Sequence, residues 1–129
     1  MEPIERLAHE FITATERNDA DRLLELYADD AVIWINATGT EMPAVDGLGV
    51  LASLHRRAES VRYEVLQVLP TSDGYVQRHV LHVTVPARDD RAAQDLSVPA
   101  CLVVKVRDGR ITRLDEYLDS GQIAPLFAS

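Results

Sequence analysis

Apolar residues in the first half of the chain recur every three or four positions, which is the spacing of one helix face. Pro3 suits the first position of a helix, because the N–H that proline lacks would have no partner there. The helix face that follows consists of Ile4, Leu7, Ala8, Phe11 and Ile12. Asn18 and Asp19 can each cap a second helix, whose apolar residues are Leu23, Leu24, Leu26 and Tyr27. A third helix is predicted over roughly residues 47–59, with Leu48, Leu51 and Leu54 directed inward.

The remaining segments alternate apolar and polar residues, which is typical of strands. A short strand, Ala31–Asn36, is predicted between the second and third helices, and residues 37–47 are predicted to form a loop. Three longer strands are predicted at Val61–Leu69, Tyr75–Val85 and Leu96–Val106. Asp108-Gly109 then predicts a hairpin turn into a last strand that runs to Asp119. Residues 120–129 are expected to form a short helical or irregular tail.

This order of elements, helices first and long strands afterwards, predicts an α+β fold. The expected architecture is a curved, mixed or antiparallel sheet with the three helices packed on its concave face. A chain of 129 residues with 47% hydrophobic residues is long enough for one proper core and too short for two. We therefore expect a single domain over residues 1–129.

The last strand contains one oddly placed carboxylate. Side chains in a strand alternate between its two faces, so Ile111, Arg113, Asp115 and Tyr117 are predicted to share one face. The other face carries Thr112, Leu114, Glu116 and Leu118. Glu116 thus lies between two leucines on the inward side, where a carboxylate is costly unless it is paired or has a chemical role. Glu116 is the first candidate for a catalytic residue.

Charge and composition narrow the possible partners. The net charge of −8, from 13 basic and 21 acidic residues, argues against nucleic acid, whose binding needs clustered Lys and Arg. No apolar run approaches the roughly 20 residues of a membrane span. The first residues lack the basic start and apolar core of a signal peptide. We expect a cytoplasmic protein that binds neither nucleic acid nor membrane.

The sequence also gives no sign of a metal or a nucleotide cofactor. Cys101 is the single cysteine, which excludes an internal disulfide and a cysteine-based metal site. No two histidines have the i, i+4 spacing of a helical zinc site, and no glycine-rich phosphate loop is present. The expected chemistry therefore needs no metal and no cofactor.

Two segments, Leu26–Trp34 and Val106–Asp119, resemble the nuclear transport factor 2-like superfamily in their sequence and in their separation. This superfamily includes SnoaL-like polyketide cyclases, limonene epoxide hydrolase and ketosteroid isomerase, and the resemblance spans about residues 4–127. It implies a cone-shaped fold with a deep apolar pocket between the curved sheet and the helices. It also implies a small apolar organic substrate and a homodimer formed through the outer face of the sheet.

The motif is most similar to that of limonene epoxide hydrolase, whose pocket holds an Asp-Arg-Asp set and a Tyr and an Asn that bind the attacking water. The resemblance places the arginine on Arg78 and the final carboxylate on Glu116. It places the water-binding pair on Trp34 and Asn36. The second aspartate falls on Val80, so the hydrolase mechanism is not carried over intact. The positions of ketosteroid isomerase fit worse, because its oxyanion-hole tyrosine falls near a phenylalanine and its neutral aspartic acid in an apolar run.

The resemblance to the SnoaL-like cyclases implies a histidine on the middle strand, and two are available there. One face of strand 75–85 carries Arg78, Val80, His82 and Thr84, and the other carries Gln77, His79, Leu81, Val83 and Val85. With Arg78 in the pocket, His82 enters with it, and the apolar face is left for a dimer interface. Periodicity alone also allows the reverse register, with His79 inward. We favour the first register.

The predicted catalytic set is therefore Glu116, Arg78 and His82, in which Arg78 keeps Glu116 ionised and His82 acts as a proton donor or shuttle. The predicted substrate-binding residues are Trp34, Asn36, Tyr63 and His79.

Three functions remain open at this point. The first is a cofactor-independent enzyme that uses general acid–base catalysis in an apolar pocket, and we favour a SnoaL-like cyclase or isomerase. The second is an epoxide hydrolase similar to limonene epoxide hydrolase. The third is a non-catalytic ligand-binding or dimerisation module, which predicts that Arg78 and Glu116 form a sealed pair with no cavity beside it.

Overall fold

A computed structural model describes residues 2–128 of the protein, and across that range the chain forms four helices and six strands. In chain order these are α1 (Pro3–Arg17), α2 (Ala20–Leu26), β1 (Tyr27–Ile35), β2 (Thr40–Pro43), α3 (Ala44–Arg57), β3 (Ser60–Thr71), β4 (Gly74–Val85), β5 (Gln94–Arg107), β6 (Arg110–Leu118) and α4 (Ser120–Phe127). None of the helices in this range is long and apolar enough to cross a membrane.

All six strands belong to one sheet with the order β2-β1-β6-β5-β4-β3. Neighbouring strands are antiparallel except β1 and β6, which run parallel, so the sheet is mixed. The helices cover one face of this sheet: α1 packs on β3 and β4, α3 on β1, and α4 on β5. The predicted α+β fold, with a mixed sheet and helices on one face, is confirmed.

The helix ends follow from local chemistry that is visible in the sequence. Pro3 lies in the first turn of α1, and the helix ends at Asn18, which adopts a left-handed conformation with φ of 54°. The side chain of Asp19 then caps α2 by accepting a hydrogen bond from the backbone N–H of Arg22 at 3.1 Å. Of the two residues predicted as possible caps of the second helix, Asp19 has this role and Asn18 ends the first helix instead.

The segment between the second and third helices differs from the prediction. The strand β1 begins at Tyr27 rather than at Ala31, and the predicted loop contains β2, which pairs back onto β1. Gly39 makes this hairpin possible because it adopts a φ of 67°, which is accessible to glycine at little cost. The tail predicted as helical or irregular is the helix α4.

The favoured register of β4 is wrong, and the reverse register is correct. Gln77 and His79 are buried together with Leu81, Val83 and Val85, whereas Arg78 and His82 lie on the outer face. The three aliphatic side chains need the apolar environment under the helices, and a period of two then carries His79 inward with them. The prediction that Arg78 faces the pocket therefore assigned every side chain of the strand to the wrong face.

The position of Ile111, near the start of the last strand, also differs from the prediction. Ile111 is fully buried on the same side as Leu114, although alternation predicts opposite sides. The pairing of β6 with β5 shifts between Lys105 and Val106, which leaves Thr112 as an extra residue in β6. This irregularity rotates the strand once and restores alternation from Arg113 onward, so the inward position of Glu116 is as predicted.

Candidate active site

A cavity of about 360 Å³ lies between the helices and the concave face of the sheet. This volume is within the range of small-molecule sites. Most of its lining is apolar and comes from all four helices and all six strands; it includes Phe11, Ile33, Leu51, Leu81, Leu102 and Leu114. The polar side chains that line it deeply are Glu116, His79, Tyr27 and Tyr63, and Thr15, Thr38 and Ser120 add hydroxyl groups.

Glu116 enters this cavity from the middle of the sheet. Its strand β6 lies between β1 and β5, where Glu116 pairs with Ile35 and Leu102, and its backbone carbonyl accepts a hydrogen bond from the N–H of Asn36 at 3.0 Å. Glu116 is half-buried and lines the cavity. Burial raises the pKa of this carboxyl group from its ordinary value of 4.5 to about 7. Among residues 2–128, no side chain donates a hydrogen bond to the Glu116 carboxyl group, and no positively charged side chain pairs with it.

His79 lines the same cavity from β4 as a neutral imidazole. Burial lowers its pKa from 6.5 to about 4, since the charged form is poorly solvated there. Its Nδ1 accepts a hydrogen bond from the side-chain amide of Gln77 at 3.1 Å. The edge of its ring packs against Tyr63, with 5.3 Å between ring centroids.

Two tyrosines complete the polar set. Burial raises the pKa of Tyr27 and of Tyr63 well above the ordinary range, and the negative charge of Glu116 adds to the effect in both. Both phenol groups therefore stay protonated, so each can donate a hydrogen bond. Tyr63 is held in place through its backbone N–H, which donates to a carboxylate oxygen of Glu16 at 2.8 Å.

Three of the predicted site residues are brought together: Glu116, Tyr63 and His79 all line the cavity. Arg78 and His82 do not. Arg78 donates a hydrogen bond to Gln67 at 3.0 Å on the outer face, and His82 contacts the carboxylate of Glu64 and the hydroxyl of Ser97. The predicted Arg78–Glu116 pair is therefore absent from the described part of the chain, because the two side chains lie on opposite faces of the sheet.

Trp34 and Asn36 also lie outside the cavity lining. Trp34 points to the outer face, where its ring packs against Tyr117 with 5.3 Å between centroids. The side-chain oxygen of Asn36 accepts a hydrogen bond from the backbone N–H of Leu118, which extends the pairing of β1 with β6. Both residues occupy positions that the strand alternation assigns to the outer side or to the strand end, so the alignment with a water-binding pair is wrong for them.

Tyr27 is the cavity residue that the sequence analysis missed. It was assigned to the second helix because leucines precede it at helical spacing. In the structure it is the first residue of β1 and pairs with Ile111 of β6. An aromatic residue directly after a leucine-rich helix and before two aspartates was the available signal, but the parallel partner strand lies far away in sequence.

The resulting site has one weak acid, three neutral hydrogen-bond donors and apolar walls. An acid with a pKa near 7 can accept and return a proton at neutral pH. The donors can stabilise negative charge on an oxygen atom of a molecule bound in the cavity. Within residues 2–128, no group of three His, Cys, Asp or Glu side chains is arranged to hold a metal ion.

Comparison with known proteins assigns the chain to one protein family. A family model described as the SnoaL-like domain matches residues 8–114, which is most of the chain. The chain belongs to the SnoaL-like domain family, and thus to the nuclear transport factor 2-like superfamily. No curated protein sequence matches it.

Solved structures show the same fold at low sequence identity. IdmH from Streptomyces antibioticus, named as a proposed polyketide cyclase, is 22% identical with a TM-score of 0.84 and covers 98% of this chain and 99% of its own. A proposed SnoaL-like polyketide cyclase from Shewanella putrefaciens is 15% identical with a TM-score of 0.81 and coverage of 98% and 97%. An LEH-like epoxide hydrolase from M. tuberculosis is 17% identical with a TM-score of 0.74 and coverage of 96% and 88%. At these identities the similarity is one of fold.

Proposed function

We propose that this protein is a cofactor-independent enzyme of the SnoaL-like cyclase or isomerase class, in which Glu116 accepts a proton from a small, uncharged and largely apolar molecule. The observation that supports this proposal is the position of Glu116: a single carboxyl group with a pKa of about 7 at the wall of an apolar cavity, with no cation beside it in the described residues. A structural role would not require a carboxylate at such an unfavourable place.

The chemistry follows from the neighbours of this carboxylate. Glu116 removes a proton from a carbon next to a carbonyl group, and the electron pair of the C–H bond becomes part of an enolate. The enolate oxygen accepts hydrogen bonds from the hydroxyl groups of Tyr27 and Tyr63 and from the ring N–H of His79. The proton on Glu116 then returns to another carbon of the substrate, which gives an isomer. In a cyclisation, the enolate carbon instead attacks a second carbonyl of the same molecule and the new alkoxide takes the proton.

The experiment uses proton exchange, because it reports on this step without knowledge of the natural substrate. Neutral bicyclic ketones such as 2-tetralone are incubated with the protein in D₂O, and the loss of the proton signal next to the carbonyl is followed by NMR. We expect an exchange rate that rises with pH through about 7 and then levels off, because only the ionised Glu116 accepts a proton.

Glu116→Gln is the decisive variant, and Glu64→Gln is its matched control. Glu64 is an exposed glutamate on the outer face that contacts His82. Exchange above the rate in buffer is expected for the wild type and for Glu64→Gln, and not for Glu116→Gln. If Glu116→Gln exchanges the ketone as fast as the wild type, Glu116 is not the proton acceptor and the proposal fails.

The other two functions have less support from the geometry. Epoxide hydrolysis was predicted from an Arg78–Glu116 pair, but Arg78 lies on the outer face and the lining of the cavity holds one carboxylate and no arginine. A non-catalytic module predicted a sealed Arg78–Glu116 pair without a cavity, and the described structure has a cavity against Glu116 and no such pair. Incubation with small epoxides in heavy-oxygen water tests the first alternative directly: labelled diol would replace our proposal with hydrolysis.

A further inference from the structure

Gln77 is a polar residue at a place where the fold itself requires an apolar one. Its side chain is fully buried, and its cross-strand neighbours on the same face are Val68 and Leu102. Within the described residues, its side-chain oxygen has no hydrogen-bond partner. An unsatisfied buried carbonyl destabilises a protein, and methionine has nearly the same volume without this penalty. Packing therefore gives no reason for a glutamine here.

The one hydrogen bond that Gln77 makes goes to His79. The amide nitrogen lies 3.1 Å from Nδ1 of the imidazole, and an NH₂ group can only donate. With the amide nitrogen facing the ring, this contact is a hydrogen bond only when Nδ1 is the unprotonated nitrogen of the neutral imidazole. The proton then resides on Nε2, which has no partner among residues 2–128. Because His79 lines the cavity, this N–H is the polar group that His79 offers to a bound molecule.

We propose that Gln77 is a positioning residue that fixes the tautomer and the ring orientation of His79, so that Nε2–H donates a hydrogen bond to an oxygen atom of the bound molecule. The inference rests on the proposed function of the cavity and extends it to a residue that does not touch the substrate. With the opposite tautomer, Nε2 would present a lone pair, repel a carbonyl oxygen and compete with Glu116 for the proton. Leaving the side-chain oxygen of Gln77 without a partner destabilises the fold, and in return the amide excludes the Nδ1–H tautomer of His79.

The test reads the tautomer itself. The protein is labelled with ¹⁵N-histidine, and long-range ¹H–¹⁵N spectra of the four histidines are recorded at pH 7.5 for the wild type, Gln77→Met and Gln77→Glu. We expect Nε2–H for His79 in the wild type, a mixture of tautomers in Gln77→Met, and Nδ1–H in Gln77→Glu, whose carboxylate accepts rather than donates. Gln67→Met is the matched control, because Gln67 accepts a hydrogen bond from Arg78 on the outer face.

Activity gives the second readout. In the ketone exchange assay, Gln77→Met is expected to lower kcat at least 10-fold with little change in KM, while its melting temperature stays the same or rises. A merely structural glutamine would give the opposite pattern, a lower melting temperature with unchanged kcat. Nδ1–H in the wild type, or the same His79 tautomer in all three proteins, overturns the inference. The tautomer is measured without substrate, so the inference about Gln77 can fail while Glu116 remains the base. Conversely, an active Glu116→Gln variant would contradict the proposed function and leave the tautomer result unaffected.

Discussion

Glu116→Gln should make the protein more stable at alkaline pH and leave its stability unchanged at acidic pH. In the folded protein the pKa of Glu116 is about 7, whereas in the unfolded chain the carboxyl group titrates near its ordinary value of 4.5. Between these two values the folded state binds one proton more than the unfolded state. The free energy of unfolding therefore falls as the pH rises through this window, at roughly 1.36 kcal/mol for each pH unit. The total is about 3 kcal/mol, and water in the cavity makes this an upper value.

His79 contributes with the opposite sign over a similar range. Its pKa is about 4 in the folded protein and 6.5 in the unfolded chain, so the unfolded state binds the extra proton between these values. Stability due to His79 is fully present above 6.5 and is lost as the pH falls toward 4. In the wild type the two slopes nearly cancel between pH 4.5 and 6.5. The Glu116→Gln substitution removes the slope due to Glu116, so the pH dependence due to His79 becomes visible in the variant.

The measurement is urea unfolding of the wild type and of Glu116→Gln between about pH 4 and 8.5, with the difference in free energy plotted against pH. Contributions to the free energy of unfolding from groups that titrate alike in both proteins cancel in this difference. We expect a difference near zero at pH 4 that grows to about 3 kcal/mol in favour of the variant at pH 8.5. The exposed Glu64→Gln variant is the control and should show no comparable gain. A variant that is equally stable or less stable than the wild type at pH 8.5 would refute the assignment of a raised pKa to Glu116.

Three further predictions concern the site, the fold and the assembly. Tyr63→Phe should lower the exchange rate about 100-fold, since it removes one donor to the developing oxyanion; an unchanged rate would exclude Tyr63 from that role. Gly74→Ala should destabilise the protein by about 3 kcal/mol in urea unfolding, because the new Cβ would lie 1.9 Å from the carbonyl oxygen of Val104. Gly49 lies on α3 with open space around it, so Gly49→Ala should stabilise the protein by about 0.5 kcal/mol. We also propose a homodimer through the outer face of the sheet, where Tyr117 is 45% exposed; Tyr117→Arg should convert it to a monomer in sedimentation equilibrium, and a dimer that persists would contradict this interface.

The inward position of Glu116 was predicted correctly because the pattern around it is local and regular. Leu114, Glu116 and Leu118 alternate without interruption, and β6 is paired on both sides over this stretch. A strand held from both sides keeps its pleat, so a period of two locates each side chain. The bulge at Thr112 misplaced Ile111 but left the residues beyond it on their predicted face.

The prediction for β4 failed because a motif outweighed the apolar pattern. Aligning Arg78 on a family arginine implied that Leu81, Val83 and Val85 face outward, although three buried aliphatic side chains stabilise a core by several kcal/mol. The apolar pattern alone would have directed His79 into the cavity and left Arg78 in solvent. The cavity and the part played by Tyr27 depend on contacts between segments far apart in sequence, and no local pattern contains them.

The parallel pairing of β1 with β6 has a consequence for how the protein is made. Ile35 pairs with Glu116, so the strand that completes the sheet beside β1 leaves the ribosome long after β1 does. Until then β1 has only β2 as a neighbour in the sheet. Contacts so distant in sequence slow folding relative to folds that are held together by local contacts. Glu116 is thus carried on the segment that completes the sheet, so a newly synthesised chain forms its cavity and places this carboxylate in the cavity wall in the same step.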